Sequence, residues 1–592
     1  MKIKISNSFI LPAYLLMVGL SSAATYTWDP GNTANGTTID PGNGTWNTTA
    51  GNIVWNNAGT NVIWAQTSAT AALHEAVFGG VDGTYAVTVG QGIAAQRVLI
   101  NNSGYTFSAT SAQNITITAN GSATSPGLVV ASGKSVNIGN NVTMQNVSAG
   151  GSQTLYVGAA TGGSGGTLNV ESGGTLRSSN GNASLVLHGN GTTVNVKTGG
   201  NLSSGGSGAV TSSIFVGHDP TAGSRATVNV QGGNVTIANT GAAGLHVGGA
   251  GLGTVTLTSG SITVAGSLGV TFGRDVGATS GNNILNLDGG TLTTTLVRKG
   301  NQVGTNSIFN FNGGTLRASA SSTTFMEGLN FANVKAGGAK IDTQANNITI
   351  GQNLLADSVS GGLTKSGSGT LTLTGTGSTY TGETIIKAGT LQVNTTTTLG
   401  TSSKITVGDT GSSGTILNAS TAGLSIVSGQ TLGGIGTVDV GSQSLAISGI
   451  LAPGNSIGTL TALGDVTWNA NHAWLFELGL ASADLTSAAS GSHNDFLNIL
   501  GLGSDFNKGS GSAFTFDFAN SGEVGFYKLV DWTGTSDFLS TDFVATNLTS
   551  GLSGTFIVDS GTSALYLNVI PEPSTALLGG LGMLALLRRR RA

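Results

Sequence analysis

Residues 285–292 read Leu-Asn-Leu-Asp-Gly-Gly-Thr-Leu, and this pattern decides the fold. The apolar-polar-apolar triplet puts two side chains on one face of a strand and one on the other, because strand side chains alternate. The glycine pair suits the positive φ angles of a tight corner, and a second short strand follows it. One such strand cannot bury its apolar face alone, so the pattern requires neighbouring copies.

The copies are present between residues 150 and 320. The other triplets, each followed by a glycine-containing corner, are Leu168-Asn169-Val170, Val194-Asn195-Val196, Val228-Asn229-Val230, Val255-Thr256-Leu257 and Phe309-Asn310-Phe311. Successive triplets lie 24 to 34 residues apart. Copies stacked at about 4.8 Å would share one core, and short strands without intervening helices are typical of a right-handed parallel β-helix. A β-propeller and a string of antiparallel sandwiches are the alternatives.

The triplets also predict the register. Leu285, Leu287, Phe309 and Phe311 should be buried, whereas Asn286 and Asn310 should be exposed or stacked in a ladder. At roughly 25 residues per coil, residues 110–465 should form about 14 coils in a rod on the order of 70 Å long.

Composition agrees with an all-β repeat protein. The 592 residues include 97 glycines, with only 22 Lys and Arg and 26 Asp and Glu. A net charge of −4 gives no long-range field to recruit nucleic acid. The absence of cysteine from the sequence excludes disulfides and thiolate metal sites.

The two ends of the chain differ from the repeats in amino-acid composition. Four of the seven tryptophans, Trp28, Trp46, Trp55 and Trp64, precede residue 110, and longer aromatic strands such as Phe514–Phe518 follow residue 465. Because the ends of a solenoid expose its core and strand edges, atypical β caps are expected there. The alternative for the tryptophans is an exposed row that stacks on sugar rings.

Residues 361–394 carry a resemblance to a known family. They contain Lys365, Gly367, Gly369-Thr370-Leu371 and Leu373, then Tyr380-Thr381-Gly382, then Gly389-Thr390-Leu391 and Val393. This arrangement resembles the autotransporter-associated β-strand repeat. The well-matched part covers roughly residues 335–465, and looser coils extend it back to about residue 150. The resemblance implies a pectin-lyase-like parallel β-helix exposed outside the cell.

The C-terminal 22 residues form a second signal. Pro571, Glu572 and Pro573 precede a 12-residue apolar run, Ala576 to Leu587, which is followed by Arg588, Arg589, Arg590 and Arg591. As a helix the run would extend about 18 Å, short of a bilayer core of roughly 30 Å, and the arginines favour the cytoplasmic side. The tail resembles the PEP-CTERM sorting signal, which implies transient inner-membrane contact and cleavage by an exosortase-type enzyme. A weak membrane anchor is the alternative.

The N-terminus predicts export. Lys2 and Lys4 precede an apolar stretch from Phe9 to Leu20, and small residues follow it. A signal peptidase would cut after Ala23 or Ala24; a transmembrane helix is the alternative. The expected organisation is a signal peptide (1–24), a Trp-rich cap (25–110), the β-helix (111–465), a C-terminal cap (466–570) and the sorting signal (571–592).

The sequence shows no convincing catalytic or metal site. The acidic residues between 150 and 350 do not recur at one coil position; they are Glu171, Asp219, Asp275, Asp288, Glu327 and Asp342. The Arg274-Asp275 pair is typical of a solvated turn, and His188, His218 and His246 occupy different registers of the repeat. Glycoside hydrolysis needs two carboxylates at a fixed separation, which no spacing here provides.

We therefore expect a non-enzymatic, structural or adhesive protein of a bacterial surface or exopolysaccharide matrix, without a cofactor. Its partners would be signal peptidase, an exosortase-type enzyme and extracellular polysaccharide, but not nucleic acid. The alternatives are a polysaccharide-degrading β-helix enzyme and a carbohydrate-binding protein with a Trp-rich N-terminal site. Because fold alone does not determine function, the choice between these hypotheses depends on the residues that the structure brings together.

Overall fold

The computed structural model describes residues 582 and 583 and most of residues 24–572. The exceptions within 24–572 are 32–34, 68–73, 119–121, 147–153, 180–183, 206–210, 277–279, 396–398, 400, 410–411, 413, 471 and 489–492. Between residues 24 and 572, the described chain forms 53 strands, most of them short, and one 3-10 helix.

The strands before the regular triplets are β1 (Thr25–Trp28), β2 (Gly44–Trp46), β3 (Trp55–Asn57), β4 (Thr60–Val62), β5 (Glu75–Phe78), β6 (Tyr85–Val89), β7 (Ile93–Ala95), β8 (Arg97–Ile100), β9 (Tyr105–Ser108), β10 (Gln113–Ile117), β11 (Leu128–Val130), β12 (Ser135–Ile138) and β13 (Val142–Asn146).

The strands of the triplet region are β14 (Leu155–Gly158), β15 (Thr167–Val170), β16 (Thr175–Ser178), β17 (Leu185–His188), β18 (Thr193–Lys197), β19 (Asn201–Ser204), β20 (Ile214–Val216), β21 (Arg225–Ile237), β22 (Gly244–Val247), β23 (Leu252–Val264), β24 (Gly269–Phe272), β25 (Gly281–Leu287), β26 (Thr291–Thr294), β27 (Val297–Lys299), β28 (Thr305–Phe311), β29 (Thr315–Ala318), β30 (Ser322–Glu327), β31 (Phe331–Val334), β32 (Ala339–Asp342), β33 (Ile348–Ile350) and β34 (Leu355–Ala356).

The remaining elements are β35 (Leu363–Ser366), β36 (Thr370–Leu373), β37 (Thr384–Ile386), β38 (Thr390–Val393), β39 (Lys404–Val407), β40 (Ile416–Asn418), β41 (Leu424–Ile426), β42 (Thr431–Gly434), β43 (Thr437–Ile447), β44 (Ile450–Pro453), β45 (Thr459–Trp468), β46 (Trp474–Leu475), β47 (Phe496–Leu500), β48 (Phe506–Lys508), β49 (Phe514–Ser521), β50 (Gly525–Asp531), the 3-10 helix (Ser540–Asp542), β51 (Phe543–Leu548), β52 (Leu552–Asp559) and β53 (Ala564–Pro571).

Successive coils contribute one strand each to three parallel stacks. Stack A contains β5, β8, β11, β14, β17, β20, β22, β24, β27, β30, β33, β36, β38, β40, β43, β45, β47 and β50. Stack B runs from β2 through β15, β18 and β28 to β34. Stack C runs from β7 through β16, β26 and β35 to β44. The chain visits them in the order A, B, C, so the predicted parallel β-helix is confirmed.

The predicted rod length agrees with stack A. Its strands from β11 to β45 number 14, the expected number of coils for residues 110–465. Parallel pairing also continues beyond both expected cap boundaries, from β5 to β50. At about 4.8 Å per strand the complete stack extends roughly 80 Å. The cap boundaries at 110 and 465 stay predictions, because the parallel strand pairing of stack A continues through both positions.

The solenoid changes its outline after β34. Stack B ends there, and a fourth stack of β41, β48 and the second halves of β43 and β45 later occupies the position between A and C. The C-terminal end turns antiparallel where β53 pairs with β50 and β52. At the N-terminal end, β3 pairs antiparallel with β1 and β4.

One core runs through the described coils. The triplet side chains Leu285, Leu287, Phe309 and Phe311 are fully buried, as predicted. At the Gly199-Gly200 corner, Gly199 has φ 74°, and a Cβ on Gly200 would lie 2.2 Å from the carbonyl oxygen of Val170 in the neighbouring coil. The first glycine therefore serves the turn and the second permits close stacking.

The triplet asparagines form two hydrogen-bonded ladders along the outside of stack B. Each side-chain amide donates to the preceding side chain at 2.8–3.1 Å, in the runs Thr106, Asn137, Asn169, Asn195, Asn229 and Thr256, Asn286, Asn310, Asn333. Strand register places Asn229 beside Thr256, so the two runs share one row. The predicted ladder is confirmed, and Asn310 is buried within it.

Candidate functional site at the C-terminal end of the fold

The C-terminal strand β53 leads directly into the sorting residues. Leu565, Leu567 and Val569 are buried, and β53 pairs with both neighbours, the last pair with β52 being Leu552 and Pro571. The next residue, Glu572, donates its backbone N–H to the carbonyl of Gly551 at 2.8 Å. The register thus holds the chain in an extended form as far as Glu572.

The first two residues of the predicted motif are therefore accessible. Pro571 and Glu572 are exposed, and Glu572 borders an open, mainly polar groove of about 510 Å³ that Asn547, Thr549 and Ser553 also line. A processing enzyme could reach Glu572 without opening the sheet. Cleavage before Pro571 would require β53 to separate from β52.

The rest of the predicted tail lies outside the described residues. This applies to Pro573, to most of the apolar run from 576 to 587, and to Arg588, Arg589, Arg590 and Arg591. In the part of the chain that the structure describes, no helix is long and apolar enough to cross a membrane.

The predicted N-terminal cleavage position adjoins the first strand. Ala23 lies outside the described residues, whereas the carbonyl of Ala24 accepts a hydrogen bond from the backbone of Glu75 at 3.0 Å. Strand β1 begins at Thr25 and pairs with β5. A cut after Ala23 or Ala24 would leave this strand intact, and the cut itself stays a prediction.

The structure ties the acidic residues of the repeats to separate local partners. Glu171 pairs with Lys197 at 2.6 Å, Asp288 accepts the amide of Asn312 at 3.0 Å, and Asp342 pairs with Arg317 at 2.9 Å. Five of the six carboxylates fill such local roles, the other two being Asp219, which accepts backbone N–H groups, and Asp275, which faces Arg274 and His218.

The three histidines singled out by the sequence lie on one side of the rod. His218 and His246 both contact the ring of Phe215, and His188 at the end of β17 contacts Tyr156 of the adjacent strand β14. His246 is buried and neither ring nitrogen has a hydrogen-bond partner. Burial, together with the nearby Arg274 and Arg298 charges, lowers its pKa to about 3. Among the described residues, no group of three or more His, Asp or Glu side chains could hold a metal ion.

Sequence reasoning missed a buried carboxyl group, Asp495. Its two oxygens accept the backbone N–H groups of Gly458 at 3.0 Å and Glu477 at 2.8 Å. Burial raises the pKa of Asp495 to about 7. Because the partners lie 18 and 37 residues away along the chain, no local pattern could have revealed this group, which joins two segments of the C-terminal end.

The four N-terminal tryptophans form an aromatic cluster in the core. Trp28, Trp46, Trp55 and Trp64 are fully buried, and the ring centroids of Trp55 and Trp64 are 4.8 Å apart. The alternative of an exposed sugar-stacking row is therefore wrong. The reason is packing. At this end of the solenoid the four indole rings fill the core, and an exposed row of tryptophans would leave the core unfilled.

Two family models match parts of the chain. The passenger-associated-transport-repeat model matches residues 363–393, which include β35 to β38, and the PEP-CTERM protein-sorting motif matches residues 569–591. No curated protein matches the sequence. The resemblances recognised from Lys365 to Val393 and from Pro571 onward are thus confirmed, and both belong to exported surface proteins.

Proposed function

We propose that this exported chain, which carries a PEP-CTERM sorting motif and a passenger-associated transport repeat, is a non-enzymatic structural or adhesive component of a bacterial extracellular matrix. The observation that carries the proposal is the junction at Pro571. There the antiparallel strands that close the long solenoid end, and the sorting motif begins. After removal of the signal peptide, removal of the C-terminal tail would release a folded rod.

The surface of the rod supports a structural role. Stack B presents a neutral ladder of amide groups over many coils, and outward threonines flank it, for example Thr167, Thr193 and Thr227. A long repetitive face suits contact with a long repetitive partner, such as a polysaccharide. β-Helix hydrolysis would need two carboxylates at a fixed separation, whereas five of the six carboxylates between residues 150 and 350 are engaged separately with local partners.

Processing would proceed through the exposed chain end. Transient insertion of the apolar tail would hold Glu572 near the membrane face, where an exosortase-type enzyme cuts, and the rod would then enter the matrix. Signal peptidase would act earlier, at Ala23 or Ala24.

A deletion strain of the native host tests this function. Loss of the gene should weaken cohesion of the extracellular matrix, measured by the shear force that disperses it. The full-length chain should restore cohesion and fractionate with the matrix, whereas a chain lacking residues 571–592 should do neither. Normal cohesion after deletion would contradict the proposal. Release of new reducing ends from purified matrix polysaccharide by the purified chain would instead favour an enzyme.

A further inference from the structure

Basic side chains are concentrated at one place on the outside of stack A. Arg274, Arg298 and Lys299 line an open depression of about 430 Å³, together with Leu268, Thr271 and Asp275. Four of the 22 Lys and Arg residues lie in the terminal arginine run, and three of the remaining 18 surround this single depression. In a chain of net charge −4, this is a local positive site.

Strand register brings these cations together. Strands β24 and β27 are neighbours, with Thr271 beside Arg298 and Phe272 beside Lys299. Arg298 points outward and is exposed. Lys299 donates from its ammonium group to the side-chain oxygen of Asn330 at 3.0 Å, which fixes the ammonium group without neutralising it.

Arg274 is held in place from two sides. Its guanidinium lies 5.3 Å from the ring centroid of Phe215 and donates to Asp275 at 3.2 Å. Asp275 is also 3.4 Å from a ring nitrogen of His218. Arg274, Arg298 and Lys299 share the depression with one carboxylate, Asp275, and a second carboxylate, Glu327, lies beside Arg298 on the neighbouring strand β30. The cations therefore exceed the carboxylates by one. A guanidinium positioned in this way is pre-organised to bind a planar oxyanion.

The buried His246 is a second observation at the same place. It occupies the same outward row as Thr271 and Arg298, one strand beyond Thr271, and both its ring nitrogens lack partners. Burial is the main cause of the lowered pKa of His246, and the charges of Arg274 and Arg298 add to it. The imidazole is therefore neutral and does not repel the cations that line the depression.

We propose that the depression formed by Arg274, Arg298 and Lys299 binds the carboxylate groups of an acidic, uronic-acid-containing polysaccharide. The lining is polar and the volume lies in the range of small-ligand sites, so it suits a hydrated sugar acid better than an apolar ligand. The cations are spread over neighbouring coils along the rod, so the ligand extends along the rod and the depression holds one segment of a longer chain. This deepens the proposed matrix function by naming its polymer class.

Binding measurements with the full chain test the assignment. The probes are a galacturonic acid hexamer, a neutral glucose hexamer and inorganic phosphate, titrated calorimetrically. The acidic hexamer should bind most tightly. Its affinity should fall sharply as ionic strength rises from about 0.01 M to about 1 M, which shortens the Debye length from roughly 30 Å to 3 Å.

Charge-removal variants locate the site. Arg298→Gln should weaken binding of the acidic hexamer about tenfold, which corresponds to about 1.4 kcal/mol, and Arg298→Gln with Lys299→Gln should abolish it. Lys340→Gln is the matched control, since Lys340 is exposed on stack C and its loss should leave affinity unchanged. Circular dichroism and the thermal midpoint should be the same for all variants.

The outcomes separate this inference from the proposed function. Equal binding of acidic and neutral hexamers, or equal losses in Arg298→Gln and Lys340→Gln, would overturn the acidic-polysaccharide site. Binding of phosphate without the hexamer would assign a small-anion site instead and would also overturn it. Each of these results leaves the matrix-cohesion experiment to decide the structural role independently.

Discussion

His246 gives stack A a sensitivity to acid. Its pKa is lowered to about 3 by burial first and by Arg274, Arg298 and His218 in addition. The unfolded chain has a histidine pKa near 6.5, so below that pH the unfolded state binds a proton that the native state refuses. The free energy of unfolding should therefore fall as pH drops from about 6.5 toward 3, by at most about 1.36 kcal/mol per pH unit.

The variant His246→Phe isolates this contribution. Phenylalanine keeps an aromatic ring against Phe215; the centroids of Phe215 and His246 are 4.5 Å apart. The substitution breaks no hydrogen bond, because neither imidazole nitrogen of His246 has a hydrogen-bond partner. Urea unfolding between pH 4 and 7, roughly the window set by the histidine pKa values, should show a shallower pH dependence in the variant. Equal slopes in both proteins would mean that His246 is not the responsible group.

Lys365 shows what a single residue's position in a motif can and cannot reveal. The repeat pattern identified it in the sequence, but a lysine is expected outside. In the structure it is buried, and its ammonium group donates to Thr343 and to the carbonyls of Ser366, Gly367 and Ala388. Burial lowers its pKa to about 8. The acceptors lie on three coils, so only the stacked register could reveal that the lysine closes a corner.

In the asparagine ladder of stack B, each side chain inside a run both donates and accepts a hydrogen bond, so the stability of the stack depends on keeping both groups. Asn195 donates to Asn169 at 2.8 Å and accepts from Asn229 at 2.9 Å. Asn195→Asp keeps the acceptor but sets two oxygens against each other on the Asn169 side, which should cost about 1–3 kcal/mol at neutral pH. The loss should shrink on acidification, because a protonated carboxyl can donate again.

Threonine supplies the control within the same row. Thr256 already accepts from Asn286 at 3.1 Å, so Asn195→Thr keeps a donor and an acceptor and should cost only about 0.5–1.5 kcal/mol, with no added pH dependence. Denaturant midpoints at neutral and acidic pH compare the two variants. If aspartate and threonine are equally tolerated at neutral pH, the ladder does not stabilise stack B.

The β36 strand tests how far damage travels along the rod. Leu371 is fully buried and lies beside Ile348 and Leu391 of the adjacent strands. Leu371→Asp buries a carboxylate without a partner, which costs several kcal/mol. Because each coil touches mainly its neighbours, hydrogen exchange should show loss of protection in β33, β36 and β38 and little change near β14.

The next residue along provides the matched control. Thr372 points outward between Thr349 and Gln392, so Thr372→Asp introduces the same charge on the same strand outside the core. Its exchange pattern should match that of the unmodified chain. A uniform loss of protection across all coils in Leu371→Asp would contradict nearest-neighbour stability.

At the scale of the whole molecule, the sequence predicts the rod better than its irregularities. The triplets set strand spacing and inward side chains locally, which is why the number of coils between 110 and 465 is right. The loss of stack B after Ala356 and its replacement from Leu424 were not predictable, because they depend on how corners such as the one at buried Tyr380 fill space between coils. The depression between Arg274 and Arg298 could not be predicted from the sequence for the same reason, since the register between β24 and β27 brings these residues together.

The final prediction concerns the conversion of the whole precursor to its mature form. Because β53 is paired with β52 up to Pro571 and Glu572 is still bonded to Gly551, a cut on the C-terminal side of Glu572 leaves the cap intact. Mass spectrometry of the extracellular protein should therefore find a C-terminus near Pro573 and no peptide containing Arg588 to Arg591.

Lengthening the apolar run tests the physical basis of that processing. The present 12 residues cover about 18 Å as a helix, so the tail is held only marginally in a bilayer core of roughly 30 Å. About 20 apolar residues would span it, and the extended variant should stay in the membrane fraction. A variant with the same 12 residues in a different order should be released like the original chain. Intact tail peptides on the extracellular form of the original chain would mean that the segment is a plain anchor, because a retained tail leaves no step at which the rod is set free.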